Sequence, residues 1–413
     1  MTRKSLTALV MSLAAATAFA LPALAQDATE AATPPATAEV TATTTPISTE
    51  QSTAEATAVT TAEATATSTA EVTQPVTATP TGTAPATAEA TAASTAAVAV
   101  PANAILTGLN NPRGISYDAN GNLFVAEAGS AGSLLVQHDP TNGDTYAGLT
   151  SKITEFSAAA TESAPVPFLI SGGDPQGEIV GATDVLANGN SLWVAISSQI
   201  PGNPYSDSVA EIDLPSGGIK SFVSPQFNEV TNNPDGSEIN SNVNAIALGS
   251  DGTLYIVDTG ANTIYSWTQA NGLQVLHVWK DDSVPTAMAF ATDGSFYVSF
   301  LGQGIAPNAG KVEHWSADGQ TLLETFGNLT AVTDVAVGKD GGVYAVELVT
   351  GFGAQGPTLN SGAVVQLASG AATVVEGNLP QPYSLAQAPD GSWAVSVNST
   401  FAPPGSGAVV KVG

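Results

Sequence analysis

VNAIALGSDGTLYIVD, residues 243–258, decides the fold. Apolar side chains alternate on both sides of a Ser-Asp-Gly step, the pattern of two half-buried strands joined by a tight turn. Variants of this unit recur as PRGISYDANGNLFVAE from Pro112, ATDVLANGNSLWVAI from Ala182, PTAMAFATDGSFYVSF from Pro285, VTDVAVGKDGGVYAVE from Val332 and PYSLAQAPDGSWAVSV from Pro382. Most copies are followed by a further strand pair, such as 263–268 with 273–279, 311–316 with 321–326, and 363–368 with 373–376. Six copies of four strands predict an all-β fold, a six-bladed β-propeller. The last copy ends after three strands at residues 407–413, while AILTGL (104–109) precedes Asn110-Asn111-Pro112 just as 373–379 precedes Pro380-Gln381-Pro382. The N-terminal strand is therefore expected to supply the missing fourth and close the ring, leaving no open sheet edge.

Outward from the repeats, three segments are predicted. Residues 1–25 carry Arg3 and Lys4 before an apolar run and end on Ala23-Leu24-Ala25, the pattern of a signal peptide. Its apolar run is broken by Ser, Thr and Pro and is shorter than a membrane span requires, and no later segment could cross a membrane. Residues 26–103 are almost entirely Thr, Ala, Glu, Pro, Val and Ser, with TAEATA repeated at 53–58, 61–66 and 87–92. Such a composition cannot bury a core and reads as a disordered linker or stalk. Residues 104–413 form the propeller. The chain is expected to be secreted, extracellular or held at the cell envelope, and monomeric.

Composition narrows the partners. With 36 acidic residues against 9 basic ones, a net charge of −27 and no Lys/Arg cluster, nucleic acid is excluded as a natural partner. The absence of cysteine removes any disulfide, so stability must come from packing.

In an antiparallel meander the turns between first and second strands lie on one face. Here all six of these turns are short Asn-Gly or Asp-Gly steps, and the long connections fall on the opposite face, where binding residues concentrate on rigid scaffolds. At the start of each innermost strand stand Arg113, Thr183, Asn244, Thr286, Thr333 and Tyr383, with Asp184 and Asp334 one place later in their copies. This ring could take a small polar ligand, and Asp184, Asn244 and Asp334 could hold a hard cation such as calcium; a hydrated channel is the plainer alternative. Glu127, Asp258 and Glu347 end the second strands of three copies and are expected to accept backbone N–H groups at the strand-to-loop corner. Residues 233–240 resemble the start of a calcium loop, but their Ile comes one place late and the acidic last ligand is missing. His138, His277 and His314 fall outside the channel mouth. There is no G-x-S-x-G elbow, H-E-x-x-H or Cys nucleophile. The five tryptophans occupy strand positions suited to packing between blades.

PRGISYDANGNLFVAEAG (112–129), the long insertion after it and the DG-LY-V repeats resemble the ScyD/ScyE family, secreted six-bladed propellers, and more distantly NHL-repeat propellers. The resemblance covers about residues 104–413 and implies a fold without implying catalytic residues. Two functions stay open. One is a binding or scaffolding module for a small molecule, an extracellular protein or a cell-wall component. The other is a metal-assisted lactonase or lyase at the channel mouth, with Asp184, Asn244 and Asp334 on the metal and Arg113 on a developing oxyanion.

Overall fold

The computed structural model describes residues 101–413 except 142, 175, 176, 199, 201, 202, 204 and 355. The segment expected as a signal peptide, and the expected linker up to residue 100, lie outside the described residues. No helix among the described residues is long and apolar enough to cross a membrane.

The described region is an all-β propeller. The third copy gives Val243–Leu248, Leu254–Asp258, Thr263–Thr268 and Gly272–Val278, hydrogen-bonded in that order into one antiparallel sheet. The fourth and fifth copies repeat this arrangement. The sixth supplies Leu385–Gln387, Trp393–Val397 and Gly407–Val412, and its fourth strand is Ala104–Leu109 from the other end of the propeller. That strand pairs antiparallel with the last one, Leu106 opposite Val409 and Thr107 opposite Ala408, so the ring closes as the sequence predicts.

The expectation of six separate blades is corrected. Four discrete four-stranded sheets are present, and the first two copies run together into one nine-stranded sheet. The cause is strand length: Thr145–Phe156 and Glu162–Gly173 each have 12 residues, against 6 to 9 in the corresponding strands of the third to fifth copies. The second overruns its own blade and pairs with Ile179–Asn188 of the next copy at Gly172–Val180 and Gly173–Ile179. The short strand Leu134–Gln137 adds to the outgrowth by pairing with Thr145–Phe156. Parts of the long connections expected on the elaborated face, residues 134–137, 145–150, 172–173 and 179–181, are therefore strand.

The Asx-Gly steps set the plain face. Gly121, Gly252, Gly294, Gly341 and Gly391 all have φ between 81° and 91°, and each N–H closes a turn on the carbonyl three residues earlier. Only glycine reaches that left-handed backbone without strain. The preceding aspartates lock the turn: Asp251 Oδ1 accepts Thr253 N–H at 3.0 Å and Asp293 Oδ1 accepts Ser295 N–H at 3.0 Å. On the opposite face the segment between the second and third copies folds into a helix, Pro225–Asn232, with proline in its first turn and left-handed Asn233 as its stop.

Neighbouring copies meet through aromatic rings. Trp193 packs edge-on to Trp267 at 5.7 Å, Trp279 to Phe300 at 5.0 Å, and Tyr344 tilts against Trp393 at 4.8 Å. Each pair joins two successive copies, which is the packing role the sequence assigns to the tryptophans.

Candidate functional site at the channel mouth

Most of the polar ring at the start of the inner strands serves as a stitch between copies. Thr183 Oγ1 donates to Val243 O at 2.9 Å, Asn244 Nδ2 to Thr286 O at 2.7 Å, Thr286 Oγ1 to Val332 O at 2.9 Å and Thr333 Oγ1 to Tyr383 O at 2.7 Å. Ser396 Oγ continues the series to Arg113 O at 2.8 Å across the closure. Each bond gives a buried carbonyl at or just before the start of an inner strand a side-chain donor from the neighbouring copy.

Asp184 and Asp334 form a second stitch one place along. Asp184 Oδ2 accepts Ile246 N–H of the next copy at 2.9 Å, and its Oδ1 accepts Val185 N–H at 2.8 Å. Asp334 repeats this with Leu385 N–H at 2.7 Å and Val335 N–H at 2.8 Å. Burial pushes the Asp184 carboxyl up to about 8, against its two N–H bonds and with help from the Asp334 charge. Burial likewise lifts Asp334 to about 6. Both groups keep some solvent contact.

The trio Asp184, Asn244 and Asp334 does not present a free set of oxygens. Four carboxylate oxygens hold N–H groups, and Asn244 Oδ1 accepts the Tyr383 hydroxyl at 2.6 Å. Among the described residues no three His, Asp or Glu side chains are grouped so as to hold a metal ion. The 233–240 loop is also closed on itself. Asp235 Oδ1 accepts Ser237 N–H at 2.9 Å, its Oδ2 accepts Asn262 Nδ2 at 3.1 Å, and Asn233 Oδ1 accepts Gly236 N–H at 3.0 Å.

The Tyr383–Asn244 bond joins the sixth copy to the third, across the axis of the ring. The mouth is thus barred by a phenol where the sequence suggests an open, hydrated channel. On one side of this bar lies a small, partly open cavity of about 20 Å3, lined by Arg113, Glu178, Thr183, Ser197, Asn244 and Tyr383 among others. Arg113 is only 4% exposed. Its guanidinium lies 4.7 Å from the centre of the Tyr383 ring, Nη2 donates to Ile179 O at 3.0 Å, and Glu178 Oε1 is 3.7 Å from Nη2. Its Nε is buried and has no hydrogen-bond partner among the described residues.

Of the residues singled out in the sequence, Arg113, Thr183, Asn244 and Tyr383 converge on this cavity, whereas Asp184, Thr286 and Asp334 do not line it. Sequence reasoning missed Glu178, Ser197 and Asn242. Glu178 stands at the end of the connection between the first two copies, and a lone acid there has no spacing that marks it. The histidines are elsewhere: His138 beside Asp144 at 2.7 Å, His277 at 4.4 Å from both Trp279 and Trp315, and His314 stacked on Tyr297 at 4.1 Å.

The second column of acids does what corner acids do. Glu127 Oε2 accepts Asn110 N–H at 2.7 Å, Glu347 Oε1 accepts Thr330 N–H at 2.7 Å, and Asp258 Oδ1 accepts Asn242 N–H at 2.7 Å. The glutamates reach the residue two places before the inner strand and the shorter aspartate reaches one, the difference a methylene allows.

No protein-family model matches the chain, and no curated protein matches it. The ScyD/ScyE resemblance is thus not carried further by these comparisons. Solved structures similar to it include a streptogramin B lyase, at 13% identity over 75% of this chain and 96% of that one, with a TM-score of 0.45. A calcium-binding protein, regucalcin, from Agrobacterium tumefaciens is 12% identical over 74% and 92%, with a TM-score of 0.46. A gluconolactonase from Xanthomonas campestris is 9% identical over 75% and 89%, with a TM-score of 0.47. Likeness this distant carries no argument about activity.

Proposed function

We propose that this chain is a secreted, stalked propeller, six-bladed when the nine-stranded sheet is counted as two blades, that acts as a binding module of ScyD/ScyE type. Its ligand is a small polar molecule taken at the mouth cavity. The observation that supports this most is Arg113: a residue only 4% exposed, given an aromatic shelf, and left with a donor unused among the described residues, beside a cavity open to solvent. A buried donor without an acceptor costs about 1–3 kcal/mol. A site that tolerates such a cost is a candidate for one that a ligand completes.

The alternative, a metal-assisted lactonase or lyase, needs Asp184, Asn244 and Asp334 on one cation. Their oxygens already hold backbone N–H groups and the Tyr383 hydroxyl, and Asp184 and Asp334 lie outside the cavity lining, so the binding reading is preferred. The test is thermal melting of the full chain with millimolar panels of neutral sugars, amino acids, small carboxylates and calcium. A compound that raises the Tm of the native chain but not of Arg113→Gln supports the cavity as the site. Stabilisation by calcium alone, abolished by Asp184→Asn and Asp334→Asn, would favour the metal-dependent reading instead.

A further inference from the structure

We propose that the segment from Ser224 to Asn240 is a pH-operated latch on the elaborated face, closed while Glu229 is neutral and released when that carboxyl ionises. The inference does not depend on reading the mouth cavity as a ligand site.

The segment joins the last strand of the second copy, Ile219–Val223, to the inner strand of the third, Val243–Leu248. Its helix, Pro225–Asn232, is turned the opposite way from an ordinary surface helix. Phe227 and Val230 are 75% and 54% exposed, while the helix buries only Pro225 and Glu229, the latter 0% exposed. Surface helices dock by an apolar stripe, and here a carboxyl takes its place. The helix has little to hold it by itself. Ser224 gives it no side-chain cap, no acid stands in its first turn and no base in its last, and its 8 residues are too few for a helix stable alone. Its hold on the propeller therefore depends on the state of Glu229.

That carboxyl is badly placed to carry charge. Oε1 accepts Asn240 N–H at a long 3.3 Å, and Oε2 has no hydrogen-bond partner among the described residues. Two aspartates act on it, Asp258 from the end of the second strand of the third copy and Asp235 from the turn after the helix. Both are engaged by other donors: Asp258 by Ser241 Oγ and by the N–H groups of Asn242 and Ala261, Asp235 by Ser237 N–H and Asn262 Nδ2. The Tyr265 hydroxyl, on the third strand and within the field of all three carboxyls, is fully buried and offers no charge. Lys280, the cation that touches the segment, donates to Pro234 O, and no ion pair among the described residues includes Glu229. An ionised carboxylate buried without a cation or a full set of donors is strongly disfavoured against one in water. Burial and the two aspartates accordingly lift Glu229 from the ordinary 4.5 to about 7.

The closed form thus binds the proton more tightly than the open one. Glu229 stabilises it fully below about pH 4.5 and less and less as pH rises through 7, where the effect levels off because both forms are ionised. The flanks stay tied, Val223 to Val209 in its blade and Ser241 and Asn242 to Asp258, so the segment between them can lift without unpairing a blade strand. Opening bares the Tyr265 hydroxyl and the Asp258 corner beside Asn242, a residue that lines the mouth cavity.

The experiment is amide hydrogen exchange of the full chain between about pH 5 and 8, read as protection factors so that the intrinsic pH dependence of exchange cancels. The native chain is compared with Glu229→Gln and Asp258→Asn, each melted first to establish that it folds. In the native chain the amides of residues 226–240 are expected to lose at least about tenfold in protection over this range, since one pK unit is tenfold in the opening constant. The strands Leu254–Asp258 and Thr263–Thr268 should change far less. Glu229→Gln cannot ionise and should give a flat profile. Asp258→Asn removes one of the repelling charges and should keep the fall but shift it to lower pH. A flat profile in the native chain would overturn the latch without recourse to any variant. So would the native fall persisting in Glu229→Gln, or an equal loss of protection in the segment and the blade strands. A fall abolished by Asp258→Asn but not by Glu229→Gln would assign the titration to Asp258 and overturn the role of Glu229.

Discussion

The nine-stranded sheet of the first two copies and the discrete blades of the last three are built from one repeat unit, yet they do different things. In the fourth and fifth copies the strands are short, the turns are regular, and the polar inner positions are spent on stitching: Thr286 to Val332 O, Thr333 to Tyr383 O, Asp334 to Leu385 N–H. In the first two copies two strands have grown to 12 residues and run past the blade edge. The outgrowth carries the exposed apolar side chains Leu134, Leu135, Leu149 and Phe168, and the turn at its junction brings Glu178 to Arg113. Local elongation of one hairpin, without change to the repeat, turns a structural ring position into one wall of a cavity.

The largest expected effect tests what the two regions share, the closed ring. Deleting residues 104–110 removes the fourth strand of the last sheet and bares the whole edge of Gly407–Val412. Cooperative folding should be lost, with no sigmoidal melt by circular dichroism. A truncated chain that melts at the native temperature would show that the closure contributes nothing.

A smaller effect separates the two regions through equivalent corner acids. Glu127, in the first copy, is fully buried and serves Asn110 N–H, the Thr154 hydroxyl and Lys152 Nζ at 3.2 Å. Glu347, in the fifth, is 7% exposed and holds Thr330 N–H. Glu127→Ala strands a lysine and two donors and should cost about 3–5 kcal/mol. Glu347→Ala should cost about 1–3 kcal/mol, the price of one orphaned donor. Urea unfolding of both variants checks the order, and equal losses would erase the distinction drawn between the regions.

The smallest effect is the pH dependence of the two matched aspartates. Asp184 and Asp334 have folded values of about 8 and about 6, above the ordinary 3.8. The folded state therefore binds protons more tightly than the unfolded one, and stability from these groups is complete below about pH 4 and lost as pH rises through 6 for Asp334 and 8 for Asp184. Partial solvent contact along the channel reduces the size of the effect. Melting temperature should fall by a few degrees, about 2–4 °C per kcal/mol lost, between pH 5 and 9. Asp184→Asn should flatten the upper part of that fall and Asp334→Asn the lower part. If both variants keep the native slope, the titration lies elsewhere, with Glu229 and Asp258, raised by burial to about 7 and about 6, the next groups to replace.

Much of the fold was legible because its signals are local. Alternation, Asp-Gly steps and a strand missing at one end but present at the other are all properties of short windows, and Ala104–Leu109 pairs with the last strand as those windows require. The helix Pro225–Asn232 was not read. It occupies a connection without apolar periodicity, and its cues, a proline in the first turn and an asparagine at the stop, are equally those of a loop. The site was legible in part. Inner-strand position picks out Arg113, Thr183, Asn244 and Tyr383, but the same position holds Thr286 and Thr333, which act only as stitches.

By itself the sequence determined the all-β repeat, the tight-turn face and the source of the closing strand, since backbone hydrogen bonding and period-two burial act between neighbours in the chain. Tertiary structure decided the rest. That Tyr383 spans the axis to Asn244, 139 residues away, that two copies share one sheet, and that Glu178 stands at Arg113 all depend on how far a strand overruns and which side chain wins a space between blades. Those outcomes are settled by packing and charge burial across the ring, which no window of sequence contains.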